Sequence, residues 1–405
     1  MQERINIKNG QRLSALGFGC MRLPTKVGGG FDEPRAVSMI RDAVDNGINY
    51  YDTAYIYNGG QNEVLLGKAL AGGYRERVYI ATKLPAYMVQ KLSGAQSMFA
   101  TELKRLKTDY IDYYLLHMLT DINSFDRMVE IGVLQWMEEL KSAGTIRNIG
   151  FSFHGSHDSF RKILEAYPWD FCQIQYNYMD ENHQAGKEGL LLAAKMGIPV
   201  IVMEPIRGGM LSDQLPDSIT RAFRETNPGR SMAEWALRWV WNHGEVTVVL
   251  SGMSTEAQLF ENIKTASDAL PNSLTDADLA VFERVKADMA AQTRIPCTAC
   301  GYCMPCPFGV DIPGCFSIYN EKYLVNGSGG FFNYYRTLGV FSVRPGFASM
   351  CTECGRCESH CPQSIEIRKE LKLVRRTFER PISRSVIRLM RGFLRIEKRR
   401  KGGGS

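Results

Sequence analysis

No stretch of this 405-residue chain approaches the run of about 20 apolar residues that a bilayer-spanning helix needs, so a helical membrane protein is excluded. The opening Met1-Gln2-Glu3-Arg4 lacks the basic-then-apolar pattern of a secretory leader and leads straight into a strand-like segment. A cytoplasmic location, and therefore reduced thiols, is the expectation. Cysteine is nearly absent from the first 290 residues, where only Cys20 and Cys172 occur. Both lie in apolar, strand-like contexts that favour a buried free thiol. Evenly spread positive charge is also lacking. The net charge is +6, but basic residues dominate only from Arg368 onward, so the excess belongs to a tail and implies no nucleic-acid partner for the fold. With 44% hydrophobic and 23% charged residues the composition is that of an ordinary globular protein. The length suits a large catalytic domain with an appendage.

What is present in excess is cysteine near the C-terminus. Eight of the 11 cysteines form two runs, Cys297, Cys300, Cys303 and Cys306 followed by Pro307, and Cys351, Cys354, Cys357 and Cys361 followed by Pro362. Two-residue gaps let one looping segment present three sulfurs to a cubane, and the fourth comes from further away. Two-cluster ferredoxins take that fourth thiolate from the other run. The expected ligand sets of two [4Fe–4S] clusters are therefore Cys297, Cys300, Cys303 with Cys361, and Cys351, Cys354, Cys357 with Cys306. The first run closes with a two-residue gap where three is usual. Structural zinc also uses Cys-x-x-Cys pairs, but needs neither a third evenly spaced cysteine nor a terminal Cys-Pro. A disulfide framework would require an oxidising compartment. Cys315 stands outside both runs.

From residue 13 to about 265, strand-like and helix-like segments alternate. Strands are predicted at 16–21, 48–52, 78–83, 111–117, 148–152, 171–176, 200–204 and 246–251. Helical patterns occupy 36–46, 63–70, 98–106, 134–143, 160–166, 190–196 and 232–241, and several end in Asn-Gly or Gly, as left-handed caps require. Strict alternation over this length predicts an α/β fold, a (β/α)8 TIM barrel rather than an open sheet. Residues 4–13, around Asn9-Gly10, read as a hairpin plugging the barrel's N-terminal end. Chemistry is expected at the C-terminal ends of the strands. Those positions hold Asp52 with Tyr57 in the following loop, Lys83, and His117. This set suits carbonyl reduction. Tyr57 protonates the developing alkoxide, Lys83 lowers the phenol's pKa from about 10, Asp52 compensates the lysine, and His117 orients the carbonyl oxygen. Singly, each has a plainer role in closing a barrel layer or facing solvent.

Together these residues resemble an aldo-keto reductase. The resemblance rests on Asn49-Tyr50-Tyr51-Asp52-Thr53-Ala54-Tyr55 with Tyr57, Ala81-Thr82-Lys83, and Leu116-His117, supported by 147–152, 173–177 and 261–263. It covers residues 1–290, and with the cysteine runs the chain is similar to the ferredoxin-tailed branch of that family. The resemblance implies a small-molecule carbonyl substrate and NAD(P)H across the barrel mouth. It places Ser152 and Gln173 at the carboxamide, and Gly252, Ser254, Thr255, Gln258, Glu261 and Asn262 at the adenosine phosphate. Capping by the Ser254 or Thr255 hydroxyl is the plainer reading there. Phe153 stands where Asn is usual, and Met203 where many members stack a Tyr. Gly252 and Gln258 replace the Lys and Arg that often hold the 2′-phosphate. NADH and NADPH both remain compatible, with Arg207 a candidate cation for the pyrophosphate. A [4Fe–4S] centre moves one electron and a nicotinamide two, so clusters that feed the barrel would need a flavin, which accepts a pair and releases single electrons. An electron-transfer protein would then be the partner. The alternatives are a flavin-mediated reductase of an activated double bond fed by the clusters and, from another class, an electron-transfer subunit with a docking barrel.

The domain reading is thus 1–290 barrel, 291–370 ferredoxin-like α+β module, and 371–405 tail. Between the runs, residues 315–323 read as a short helix behind Pro313, and Phe331, Phe332, Tyr334, Tyr335 and Phe341 as packing aromatics. In 381–401, Ile382, Val386, Leu389, Phe393 and Ile396 recur at helical steps among arginines. Such a basic amphipathic helix suits an anionic membrane surface, an acidic partner or the protein's own barrel. The closing Gly402-Gly403-Gly404-Ser405 resembles a flexible linker end.

Overall fold

The computed structural model describes every residue except 27–29, 213–214, 298–300, 302, 325–328, 341–344, 362–363 and 380–405. Its chain divides into two compact units, Met1–Asp213 with Phe223–Phe282, and Gln214–Ala222 with Glu283–Ser405. The basic segment 381–401, Phe341, Cys300 and Pro362 lie outside the described residues. Among the described residues no helix is long and apolar enough to cross a membrane.

The first unit opens with an antiparallel hairpin, β1 (Glu3–Ile5) and β2 (Arg12–Ser14), joined through a turn over residues 6–11 that contains Asn9-Gly10. Eight parallel strands then close into a barrel: β3 (Leu16–Gly19), β4 (Tyr50–Asp52), β5 (Tyr79–Pro85), β6 (Ile111–Leu119), β7 (Ile146–Phe153), β8 (Phe171–Gln175), β9 (Val200–Met203) and β10 (Val246–Ser251). Closure follows from β10 pairing with β3, with Val249 opposite Leu16 and Ser251 opposite Phe18. The expected (β/α)8 architecture is present. The expected first strand stops two residues early, because residues 20–22 turn into a short 3-10 segment. β5 and β6 run two residues longer than expected, since their ladder continues through Leu84 with Leu116 and Pro85 with His117.

The hairpin covers the N-terminal mouth. Arg4 donates to the carbonyls of Trp241, His243 and Val246, Asn6 donates to the Tyr113 hydroxyl, and Asn9 to Asn148. Behind this plug Leu13, Tyr50, Tyr113, Leu115, Phe171, Ile201 and Val248 fill the barrel interior, with Tyr113 edge-on to both Tyr50 and Phe171 at 5.1 Å. The barrel interior on this side is thus packed with side chains. Helices such as Glu33–Asp45, Leu92–Leu106, His157–Ala166 and Met232–Trp241 surround the strands. The predicted glycine caps hold: Gly47, Gly72, Gly73, Gly144 and Gly197 all have positive φ. The helix Ile122–Glu130 escaped the hydrophobic pattern, although Asp121 and Ser124 form a capping box at its start.

The second unit is built on Ile312–Leu324, Gly329–Tyr335 and Ile367–Phe378. Its core includes Phe316, Ile318, Tyr334, Leu371, Val374 and Phe378, and Tyr334 stacks on Phe378 at 4.7 Å. Of the expected packing aromatics, Tyr334 and Tyr335 are buried. Phe331 instead is about half exposed, touching Tyr335 by its edge from one turn nearer the start of the helix.

Candidate functional site

Three strands and one loop build the catalytic candidate. Lys83 lies inside β5 rather than at its tip, and alternation along the strand turns Thr82 to the outer helices and Lys83 inward. Its Nζ donates to Asp52 Oδ1 and to the Thr53 carbonyl, both at 2.6 Å, and the lysine is fully buried. The same ammonium lies 4.8 Å from the centre of the Tyr57 phenol ring. His117 stands edge-on to Tyr57 with ring centres 6.0 Å apart. All four residues read from the sequence therefore converge on one point at the C-terminal mouth.

The loop carrying Tyr57 is shaped by backbone conformation. Asn58, Gly59 and Gly60 follow one another with positive φ, a run that glycine adopts without penalty. At Gly60 a Cβ would also fall within 2.3 Å of the Arg105 guanidinium. That guanidinium donates to the Tyr55 carbonyl and to Glu63, so it anchors the loop from beneath.

Charge in this site is set by burial against pairing. Burial alone would discharge Lys83, but Asp52 and Tyr57 outweigh it and hold the ammonium above its usual value. Burial pushes the Asp52 carboxyl up, and Lys83 offsets part of that. Burial also raises the Tyr57 phenol, and the pull of Lys83 does not fully reverse it. The lysine was expected to bring this pKa down. The direction is instead upward, so Tyr57 holds its proton at neutral pH. His117 is pushed well below the usual imidazole value by burial, then by Lys83 and by His154. It is a neutral imidazole whose Nδ1 is buried without a partner. His154, which the sequence reading passed over, is lowered to about 4 by burial. It directly follows Phe153, which is buried against Phe160 and so is no hydrogen-bonding substitute for an Asn.

The cofactor candidates separate into groups. Ser152 is buried on β7 and accepts the Met118 N–H at 2.9 Å. Gln173 on β8 donates weakly to the Met203 sulfur, and its buried Oε1 has no partner. Gly252 and Ser254 lie at the rim beyond β10. Thr255 caps the helix Glu256–Asp268 by accepting the Gln258 N–H, and Gln258 folds back onto the Ser254 N–H. The capping role is thus filled as the plainer reading expected. Glu261 is exposed on that helix, whereas Asn262 is buried and donates to Ser251. Arg207 is tied to Asp180 at 3.2 Å, and Gln175 and Asn177 bond the same carboxylate. A cation absent from the sequence reading, Arg22, lies at the rim beyond β3, and its carbonyl accepts from the Ser254 hydroxyl. Its position just past a barrel strand end was the available signal.

In the second unit, Cys303, Cys306, Cys351, Cys354 and Cys357 line one cavity of ≈ 330 Å³. Cys303 and Cys306 of the first run are thereby placed with three cysteines of the second, which joins the runs without separating the two expected ligand sets. Cys297 and Cys361 pack at the edge of the same core. Among the described residues no three Cys, His, Asp or Glu converge on a point suited to a single metal ion. Cys20, Cys172 and Cys315 are buried free thiols.

Known proteins bear on both units. The aldo/keto reductase family profile matches residues 15–277, and the 4Fe-4S dicluster domain profile matches 296–366. A probable aldo-keto reductase of Glycine max is 29% identical over 311 residues, covering 68% of this chain and 86% of the relative. An uncharacterised oxidoreductase of Bacillus subtilis is 29% identical over 284 residues, covering 63% and 88%. Among solved structures, the holo form of a Bacillus halodurans aldo-keto reductase aligns with TM-score 0.59 and 29% identity, over 70% of this chain and 96% of that one.

Proposed function

Because the chain belongs to the aldo/keto reductase family and carries a 4Fe-4S dicluster domain behind its barrel, we propose that this oxidoreductase reversibly reduces a small-molecule carbonyl to an alcohol. The observation that carries this reading is the buried Lys83–Asp52 pair against the Tyr57 ring, beside a neutral His117. A nicotinamide dinucleotide supplies the hydride when bound. Gln173 fits its carboxamide, since a buried, unpartnered amide oxygen needs a donor that the carboxamide has, and Ser152 on the next strand lies opposite it. His117 donates its N–H to the carbonyl oxygen and orients it. Tyr57 gives its proton to that oxygen as negative charge develops there, and Lys83 stabilises the phenolate left behind. Asp52 holds Lys83 charged and in place. His117 stays neutral throughout, so the site's positive charge is confined to Lys83.

For the second unit we propose two [4Fe–4S] centres, held by Cys297, Cys300, Cys303 and Cys361 and by Cys351, Cys354, Cys357 and Cys306. The cavity that Cys303 and Cys306 share with Cys351, Cys354 and Cys357 supports a joint site for the two runs. The clusters pass single electrons, so delivery to the carbonyl would require a bound flavin. The test is anaerobic purification with metal and cofactor analysis, followed by assays with NADH, NADPH and chemically reduced ferredoxin. About eight iron and eight sulfide per chain are expected, with turnover on a nicotinamide alone. Stoichiometric zinc without iron would remove the cluster reading. Bound flavin with turnover only on ferredoxin would remove the nicotinamide one.

A further inference from the structure

The second unit presents a face that its own packing does not use. Met304, Pro305, Pro307 and Phe308 line the cavity shared by the two cysteine runs and are exposed at its rim. Met304 is 37% and Phe308 44% exposed. Large apolar side chains grouped this way at a surface mark a place of contact with another molecule. Cys354, on the same cavity, is exposed, whereas the other described cysteines of the two runs are only partly so.

Positive charge gathers beside this patch. On the helix Ile367–Phe378, Arg368, Lys372, Arg375 and Arg376 recur at three- and four-residue steps and so share one flank. That flank is held to the loop 351–361, because Arg368 pairs with Glu358 and Lys372 with Glu353, each at 2.7 Å. The two pairs use both carboxylates that the loop contains. Arg356 on the loop, and Arg375 and Arg376 further along the flank, are exposed and form no ion pair among the described residues. An apolar centre with a cationic rim thus surrounds the most accessible cysteine of the two runs.

We propose that this face docks an acidic one-electron carrier protein, of the ferredoxin or flavodoxin kind, which exchanges electrons with the clusters there. The inference rests on the iron–sulfur reading above. Apolar centre and charged rim are the anatomy of a protein–protein contact, and the unpaired arginines set the sign of the partner. A nucleic acid or an anionic membrane would satisfy the arginines, but neither would draw on a cluster thiolate at the surface. In the exchange one electron leaves the carrier's reduced centre and enters one cluster, with no bond made or broken.

The experiment is stopped-flow reduction of the anaerobic whole protein by chemically reduced flavodoxin, an acidic carrier whose one-electron oxidation has its own long-wavelength absorbance. Wild type, the double variant Arg375→Gln with Arg376→Gln, and Arg356→Gln are compared across a salt series. The wild-type rate should fall steeply with salt. The double variant should be about 10-fold slower at low salt and lose most of the salt dependence, and Arg356→Gln should show part of the same loss. Iron content, and reduction by photoreduced 5-deazariboflavin as a small neutral donor, should not change in the double variant, which separates docking from cluster damage. A wild-type rate indifferent to salt, or a salt dependence that survives in the double variant, would overturn this proposal and leave the clusters standing. Loss of binding to anionic phospholipid vesicles in the double variant, with flavodoxin reduction unaltered, would assign the face to a membrane and overturn it too. A protein without iron would overturn the cluster reading along with it.

Discussion

Replacing Lys83 with Met should separate what the buried pair does for the fold from what it does for chemistry. The pair is inaccessible on both sides, with side-chain exposures of 1% for Lys83 and 5% for Asp52. Asp52 Oδ2 has no partner, so Lys83 and the barrel wall are its whole environment. Removing the ammonium leaves a carboxylate buried without compensation, a change that destabilises by about 3–5 kcal/mol. For a barrel of this size that lowers the melting temperature by roughly 10 °C. Asp52→Asn should also destabilise, since it strands the ammonium. The double variant, Asp52→Asn with Lys83→Met, should recover most of the loss, because neither charge is then buried alone. Carbonyl reduction should not recover with it, since Tyr57 has lost the cation that stabilises its phenolate. The assay is thermal unfolding of the three variants beside steady-state turnover. An unchanged melting temperature in Lys83→Met, or full turnover in the double variant, would refute the reasoning.

Four further outcomes are expected. Tyr57→Phe should cut turnover at least ~100-fold with little change in dinucleotide affinity, because the alkoxide loses its proton source while the ring stays. In the wild type the Tyr57 phenol lies above its usual value, so reduction should stay level through neutral pH and fall only at alkaline pH, while alcohol oxidation, which needs the phenolate, should rise with pH; opposite slopes in initial-rate profiles would contradict this. Glu102 is buried beside Glu63, shares Thr82 with it and is raised well above the usual carboxyl value by burial. Its contribution is therefore full below the unfolded pKa and lost as pH rises through the folded one. Glu102→Gln should flatten that loss in melting curves between acidic and alkaline pH while keeping an acceptor for Tyr114. Finally, Cys354→Ala should remove about half the iron of the anaerobic protein while the far-ultraviolet dichroism of the barrel persists, and loss of all or none would argue against two separate centres.

Local chemistry made much of this protein legible before any coordinates. Cysteine spacing states its own purpose, since two-residue gaps and a closing Cys-Pro are short-range constraints. Strand alternation revealed the barrel because each β/α unit announces itself through its own periodicity and glycine cap. Asp52, Tyr57, Lys83 and His117 could be read because every barrel strand points its C-terminal end to one face, so order along the chain maps onto position in the site. Tertiary structure decided the rest, wherever the deciding partner is remote. Arg22 meets Ser254 across 232 residues, because β10 closes on β3. Arg207 looked free until Asp180 was placed beside it. Cys306 joins the second run only through packing of the second unit's core. The upward shift of Tyr57 depends on how deeply the loop sinks, and burial is a sum over neighbours that no single segment contains.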